Sequence, residues 1–351
     1  MRMKPLVIGD LIARVPIIQG GMGVGVSRYR LAGAVAREGG IGIISTAQIG
    51  YDERDFNKNQ IEANLHAIKK HIDLARASAD GGIIGVNIMV ATKQYERYVE
   101  AACAAGADLI ISGAGLPLTL PKMVLGYKTK IAPIVSSVRA ISVILKMWDR
   151  KYQRTADLVV IEGPRAGGHL AFSKEDLEDI DQMEYDTEIK AIIDVIREYE
   201  AKYRIKIPAI IAGGIYDKQD IIKAMELGAD GVQIATRFVA TEECDASQAF
   251  KEAYLKATKE DIKIVVSPVG MPGRAIDNKF LKKIAMEREK ITKCFNCLEK
   301  CNPKEIPYCI TSALINAVKG NVDEGLIFCG DNVDRLNKIT RVKEIFNELI
   351  F

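Results

Sequence analysis

The stretch Ala105-Gly106-Ala107-Asp108-Leu109-Ile110-Ile111-Ser112, residues 105–112, decides the fold. Its glycine marks where a helix must stop in a left-handed conformation, and the apolar run behind it reads as a strand buried on both faces. The same grammar recurs at Leu227-Gly228-Ala229-Asp230 and, with paired glycines, at Glu38-Gly39-Gly40-Ile41. Such repetition is the rhythm of successive βα units, which build a parallel sheet. Working outward, eight strands are expected: Val15 to Gln19, Ile41 to Ser45, Ile83 to Met89, Asp108 to Ser112, Ile131 to Val135, Asp157 to Glu162, Pro208 to Ala212 and Gly231 to Ala235. Helical stretches separate them, among them Leu31 to Arg37, with Ser27 as candidate cap, and Ile61 to Arg76. Eight units suit a closed (β/α)8 TIM barrel better than an open doubly wound sheet.

Two segments break the rhythm. Ser173 to Glu188 is rich in Asp and Glu, and the tail beyond residue 290 holds most of the cysteines. The expected organisation is a barrel over residues 1–290 and an extension over 291–351 packed on it. Lys and Arg total 49 against 46 Asp and Glu. That balance leaves no electrostatic footprint for nucleic acid or an anionic membrane. The first residues meet a charge too soon for a signal peptide, and no apolar run approaches a membrane span. A cytoplasmic protein is expected, in which seven cysteines are poor material for disulfides.

In such a barrel the chemistry sits at the C-terminal ends of the strands, with phosphate held after the seventh and eighth. Ala212-Gly213-Gly214-Ile215 follows strand seven, and Gln233-Ile234-Ala235-Thr236 closes strand eight. Adjacent glycines let backbone N–H groups approach phosphate oxygens, and the Thr236 hydroxyl adds a donor. Gln19-Gly20-Gly21-Met22-Gly23 ends strand one and allows close approach to a flat ring system, with Met22 as a soft contact. Asn87, polar inside strand three, either ties core backbone or touches a ligand. His66 and His71 fall in a charged helical stretch and read as solvated. His169 instead follows Ala166-Gly167-Gly168 after strand six, where an imidazole can move a proton near neutral pH.

Gln-Gly-Gly-Met-Gly at 19–23, Gly-Val-Asn-Ile at 85–88, Gly-Ala-Gly-Leu-Pro at 113–117 and Ala-Gly-Gly-His at 166–169 occur in that order. Ile-Ala-Gly-Gly-Ile at 211–215 and Gln-Ile-Ala-Thr-Arg-Phe at 233–238 follow. The ordered set, spanning about residues 5 to 275, resembles the nitronate monooxygenases, once called 2-nitropropane dioxygenases, and the related type II enoyl-acyl-carrier-protein reductases. The resemblance implies non-covalent FMN, its phosphate on Gly213, Gly214, Ala235 and Thr236. It implies an isoalloxazine beside Gly21, Met22, Asn87, Ala166, Gly167 and Gly168, with Gly23 and Gln233 in the same site. It makes His169 the acid/base or polarising residue for a nitro or enoyl group. The chain departs from the family at Ile134 to Ala140, which lacks the lysine of many nitronate monooxygenases, and in the large acidic stretch after His169.

Cys294, Cys297, Cys301 and Cys309 have the spacing C-x2-C-x3-C-x7-C. Four thiolates so spaced hold an iron–sulfur cluster or a structural zinc, or remain free thiols in a folded tail. The leading expectation is oxidation of alkyl nitronates by oxygen on FMN. The alternatives are NAD(P)H-dependent reduction of an activated alkene, or a phosphate- or flavin-binding barrel without redox turnover. The expected partner is a small molecule, with NAD(P)H in the second reading.

Overall fold

Isoleucine, valine and alanine dominate eight short strands: β1 Ile17–Gln19, β2 Ile41–Ser45, β3 Ile83–Met89, β4 Leu109–Gly113, β5 Lys130–Val135, β6 Val159–Glu162, β7 Ala209–Ala212 and β8 Gly231–Ile234. In the computed structural model, which describes residues 3–351, these pair in parallel and in sequence order, and β8 returns to β1 to close the barrel. Side chains alternate as a pleated strand requires: Ile43, Ile111 and Val160 fill the barrel, while Ile44, Ile110 and Val159 pack outward against helices. Leu6, Ile8 and Ala13, from the hairpin Leu6–Ile8 and Leu11–Ala13, join the interior cluster.

Helices α1 Tyr29–Arg37, α2 Gln60–Ser78, α3 Tyr95–Ala104, α4 Leu120–Met123, α5 Val138–Tyr152, α6 Tyr185–Tyr203, α7 Lys218–Glu226 and α8 Gln248–Lys256 surround the barrel. The joints behave as read: Gly39, Gly106 and Gly228 have φ of +93°, +77° and +103°. Aspartates just before three of the strands, two of them in these joints, have a further use. Asp108 accepts from Ile84 N at 2.9 Å, Asp157 from Ile131 N at 2.8 Å and Asp230 from Ala209 N at 2.9 Å. Each stands outside its own strand and ties down an amide at the start of a neighbouring one. This is why β4 and β6 begin one and two residues later than expected.

Two expectations fail in the first βα units. Ser27 does not cap α1; its hydroxyl accepts from Met22 N at 2.8 Å and holds the loop after β1. The cap comes from Asp245, which accepts from Arg28 N at 2.8 Å, Leu31 N at 3.2 Å and Arg30 N at 3.3 Å. His71 is not solvated. It is 3% exposed, stacks on Tyr29 at 5.5 Å, and has no hydrogen-bond partner at either ring nitrogen. Burial pushes its pKa down to about 3, so it is a neutral core aromatic. His66 is exposed.

Beyond the barrel, β9 Ile262–Val266 and β10 Pro272–Ile276 form a hairpin that pairs with the short strand Gly168–His169. The acidic stretch after His169 contains the helix Lys174–Glu178, capped by Ser173, and its Leu177 packs with Leu170 and Ala166. The tail adds α9 Ile310–Lys319 and α10 Val342–Leu349. No helix among the described residues is long and apolar enough to cross a membrane.

Candidate active site

A cavity of about 880 Å³ opens at the C-terminal ends of the barrel strands, within the size range of small-molecule and cofactor sites. Gly21, Met22, Gly23, Asn87, Ala166, Gly167, Gly168, His169, Gly213, Gly214, Gln233, Ala235 and Thr236 all line it. The fold therefore brings together residues drawn from β1, β3, β6, β7 and β8.

One side of the cavity is backbone. Gly213 and Gly214 have φ of +92° and +82°. A Cβ on Gly213 would lie 2.9 Å from the Gly163 carbonyl and 3.0 Å from Ala166 N, so the turn after β7 has no room for a side chain. Gly21 is constrained by its neighbour: a Cβ there would stand 2.4 Å from that of Asn87. Asn87 Nδ2 donates to the Ile111 carbonyl at 3.4 Å while the residue also faces the cavity. Thr236 opens the short helix Thr236–Val239, and the tail meets it there. A Cβ on Gly330 would be 2.5 Å from Thr236 Oγ1 and 3.4 Å from Asn332 Oδ1. Asn332 lines the cavity, and its Nδ2 is buried without a hydrogen-bond partner. Nothing in the local sequence marked Asn332, because only the folding back of the tail brings it to the strand ends.

The adjoining side, at the end of β6, is made of side chains. His169 lies opposite Gly273 in the ladder with β10, shares a 2.7 Å hydrogen bond between Nε2 and Ser267 Oγ, and meets Phe328 edge-on at 5.0 Å. Burial pushes its pKa down to about 4. The imidazole is thus neutral at neutral pH. Glu162, the last residue of β6, also lines the cavity. Burial pushes its carboxyl up to about 7, and among the described residues no cation pairs with it. Sequence reading had fixed Glu162 only as a strand end; its place just before the glycine-rich loop was the signal for it.

The loop between these two groups is clamped from the tail and hairpin. Arg274, 1% exposed, donates to the carbonyls of Pro164 (2.9 Å) and Ala166. Asp331 pairs with Arg165 at 2.5 Å and Lys259 at 3.0 Å. Tyr185 donates to the carbonyls of Ser136 and Glu162, both at 3.0 Å, fixing the ends of β5 and β6.

The four tail cysteines lie together. Cys294, Cys297, Cys301 and Cys309 line a second cavity of about 30 Å³, and Cys297 and Cys301 line the large one as well. Burial, then the neighbouring Cys309 and Cys301, pushes the Cys297 thiol up to about 11 against a hydrogen bond with Thr311. Burial, Cys294 and Cys309 likewise raise Cys301. Among the described residues, no three His, Cys, Asp or Glu side chains converge as ligands of one metal ion. Cys103, Cys244 and Cys329 are buried elsewhere.

A family model described as nitronate monooxygenase matches residues 5–351. A probable nitronate monooxygenase of Bacillus subtilis is 25% identical, over 95% of this chain and 94% of that protein. One from Staphylococcus saprophyticus is 25% identical, over 81% of each. A structure of FabK from Thermotoga maritima superposes with a TM-score of 0.70 at 27% identity, covering 95% of this chain and 91% of that one. A nitroalkane oxidase from Streptomyces ansochromogenes shares the fold, with a TM-score of 0.69 at 18% identity over 95% and 94% of the two chains.

Proposed function

The chain belongs to the nitronate monooxygenase family and is an oxidoreductase, and from that premise we propose that it binds FMN and oxidises alkyl nitronates with oxygen. The observation carrying this reading is the cavity's two-part construction, with a glycine turn beside a pair of half-buried titratable groups.

The residues present fit the cofactor. Gly213 and Gly214 form a turn that lines the cavity and has no room for a Cβ against Gly163, Ala166 and Arg165, Thr236 brings a hydroxyl, and the orphaned Asn332 Nδ2 is a donor in want of an acceptor. These groups would hold the phosphate. Gly21, Met22, Gly23, Asn87, Gln233, Ala235 and the turn Ala166 to Gly168 would bound the ring system. When bound, FMN supplies reversible redox chemistry at the ring. The residues 291–351 act in this reading as a wall of the site, through Phe328, Gly330 and Asn332.

His169, neutral and held by Ser267, donates a hydrogen bond to the substrate's nitro group and orients it. Glu162 is the group tuned for proton transfer. With a pKa near 7 it is part carboxylate at neutral pH and takes the α-proton of a neutral nitroalkane. A nitronate, already deprotonated, needs only the orienting contact. The loop clamped by Arg274 and Asp331 keeps the two groups on fixed backbone.

Reduction of an activated alkene at NAD(P)H's expense is the second reading, favoured by the 27% identity to FabK. Anaerobic mixing separates the two. Propyl-2-nitronate should bleach the flavin absorbance of the purified protein within one turnover, whereas NADH and NADPH should leave it unchanged. Bleaching by a nicotinamide alone would transfer the assignment to the alkene reductase.

A further inference from the structure

We propose that Cys294, Cys297, Cys301 and Cys309 hold an iron–sulfur cluster in the small cavity beside the active site. This site does not depend on which substrate the flavin cavity takes.

The four thiols come from one short segment and border one enclosed space, and none is in a disulfide. At about 30 Å³ that space exceeds what one water needs. Its remaining wall is apolar but for Asn296, with Ile291, Phe295, Leu298, Pro303, Ile306 and Ile310. Four half-buried or exposed thiols gathered on one small cavity gain nothing as thiols, since packing alone is served as well by Ala or Val; iron ligation uses all of them.

The backbone is arranged for sulfur. Asn296 adopts φ +49°, which curls the Cys294–Cys297 turn so that Asn296 N–H donates to Cys294 Sγ at 3.3 Å. Hydrogen bonds to ligand sulfurs of this kind tune iron–sulfur sites. Cys309 is the N-cap residue of α9, where the backbone N–H groups of Thr311 and Ser312 reach its sulfur. The segment is also stitched to the exit of β3. Lys93 N donates to the Cys297 carbonyl at 3.0 Å, Glu299 N to the Ala91 carbonyl at 3.1 Å, and Thr92 bridges Leu298.

Geometry favours a cluster over a single ion. Zinc needs four sulfurs about 2.3 Å from one point. Here the four cysteines line one cavity, and among the described residues no three of them converge as ligands of a single ion. Cys297 and Cys301 belong to both cavities, so the cluster would share a wall with the flavin site.

The test uses the full chain, purified anaerobically and reconstituted with ferrous iron and sulfide. Iron and acid-labile sulfide should be bound in equal amounts, about two or about four of each per chain, with a paramagnetic signal after dithionite reduction. Cys294→Ser and Cys309→Ser, whose residues lie outside the flavin cavity, should lower iron at least several-fold while circular dichroism and flavin content stay as in the parent. Cys103→Ala, a substitution on α3, should keep its iron. Background iron in the parent, one zinc per chain in place of iron, or undiminished iron in both serine variants would each overturn the proposal.

Discussion

The two sides of the active-site cavity are built by opposite means. The side at β7 and β8 offers backbone: Gly213 and Gly214, with Thr236 and Asn332 adding neutral donors. The side at β6 offers titratable side chains, which burial has displaced in opposite directions, Glu162 upward to about 7 and His169 downward to about 4. A neutral scaffold binds the same way at any ordinary pH, whereas a pair with separated pKa values divides the labour of proton transfer and orientation. Cofactor binding and turnover should therefore respond to different substitutions and differently to pH.

The largest effect should come from the backbone side. Gly213→Leu would force a side chain into a residue at φ +92° against two backbone atoms at about 3 Å. Strain there costs on the order of 1–3 kcal/mol before any phosphate donor is lost. The variant should purify folded by circular dichroism and essentially free of flavin. Full flavin content would break the comparison by moving the phosphate elsewhere.

Glu162→Gln should leave flavin content intact and lower turnover of a neutral nitroalkane by about 10² to 10⁴. The sign of the pH dependence follows from the carboxyl: it is protonated below about 7 and able to accept a proton above it. Nitroalkane turnover in the parent should thus climb as pH rises through about 7, and the climb should vanish in the variant. Turnover of the nitronate should lack that limb in both. A limb that survives Glu162→Gln would remove this carboxylate from the proton path.

His169→Ala should have the smaller effect of an orienting contact. A hydrogen bond contributes about 1.5–3 kcal/mol to a charged group and about 0.5–1.5 kcal/mol between neutral ones, so turnover should fall about 10- to 100-fold on the nitronate and by less on the neutral nitroalkane. Since His169 ionises only near 4, the loss should be constant between pH of about 6 and 9. Steady-state kinetics at matched flavin content would read it. A loss confined to low pH would return His169 to acid/base work.

Much of this was legible in the chain. Apolar runs behind Gly106 and Gly228 carried the barrel, and the glycine pair at 213–214 and the position of His169 carried the cavity. What escaped were effects of distance and burial. Asp245, more than two hundred residues from α1, took the cap expected of Ser27. His71 lies in a charged stretch, yet the packing of α2 on α1 turns it inward against Tyr29. Asn332 and Arg274 reach the site only because the tail and hairpin fold back over the strand ends, and no local periodicity announces that.

The central claim is that this cavity holds FMN by its phosphate, and the most direct measurement is to denature the purified protein and identify what it releases. The account predicts a yellow protein that releases FMN in close to equimolar amount, and that rebinds added FMN but not riboflavin, which lacks the phosphate. A colourless protein that takes up no FMN, release of FAD, or equal affinity for FMN and riboflavin would contradict it.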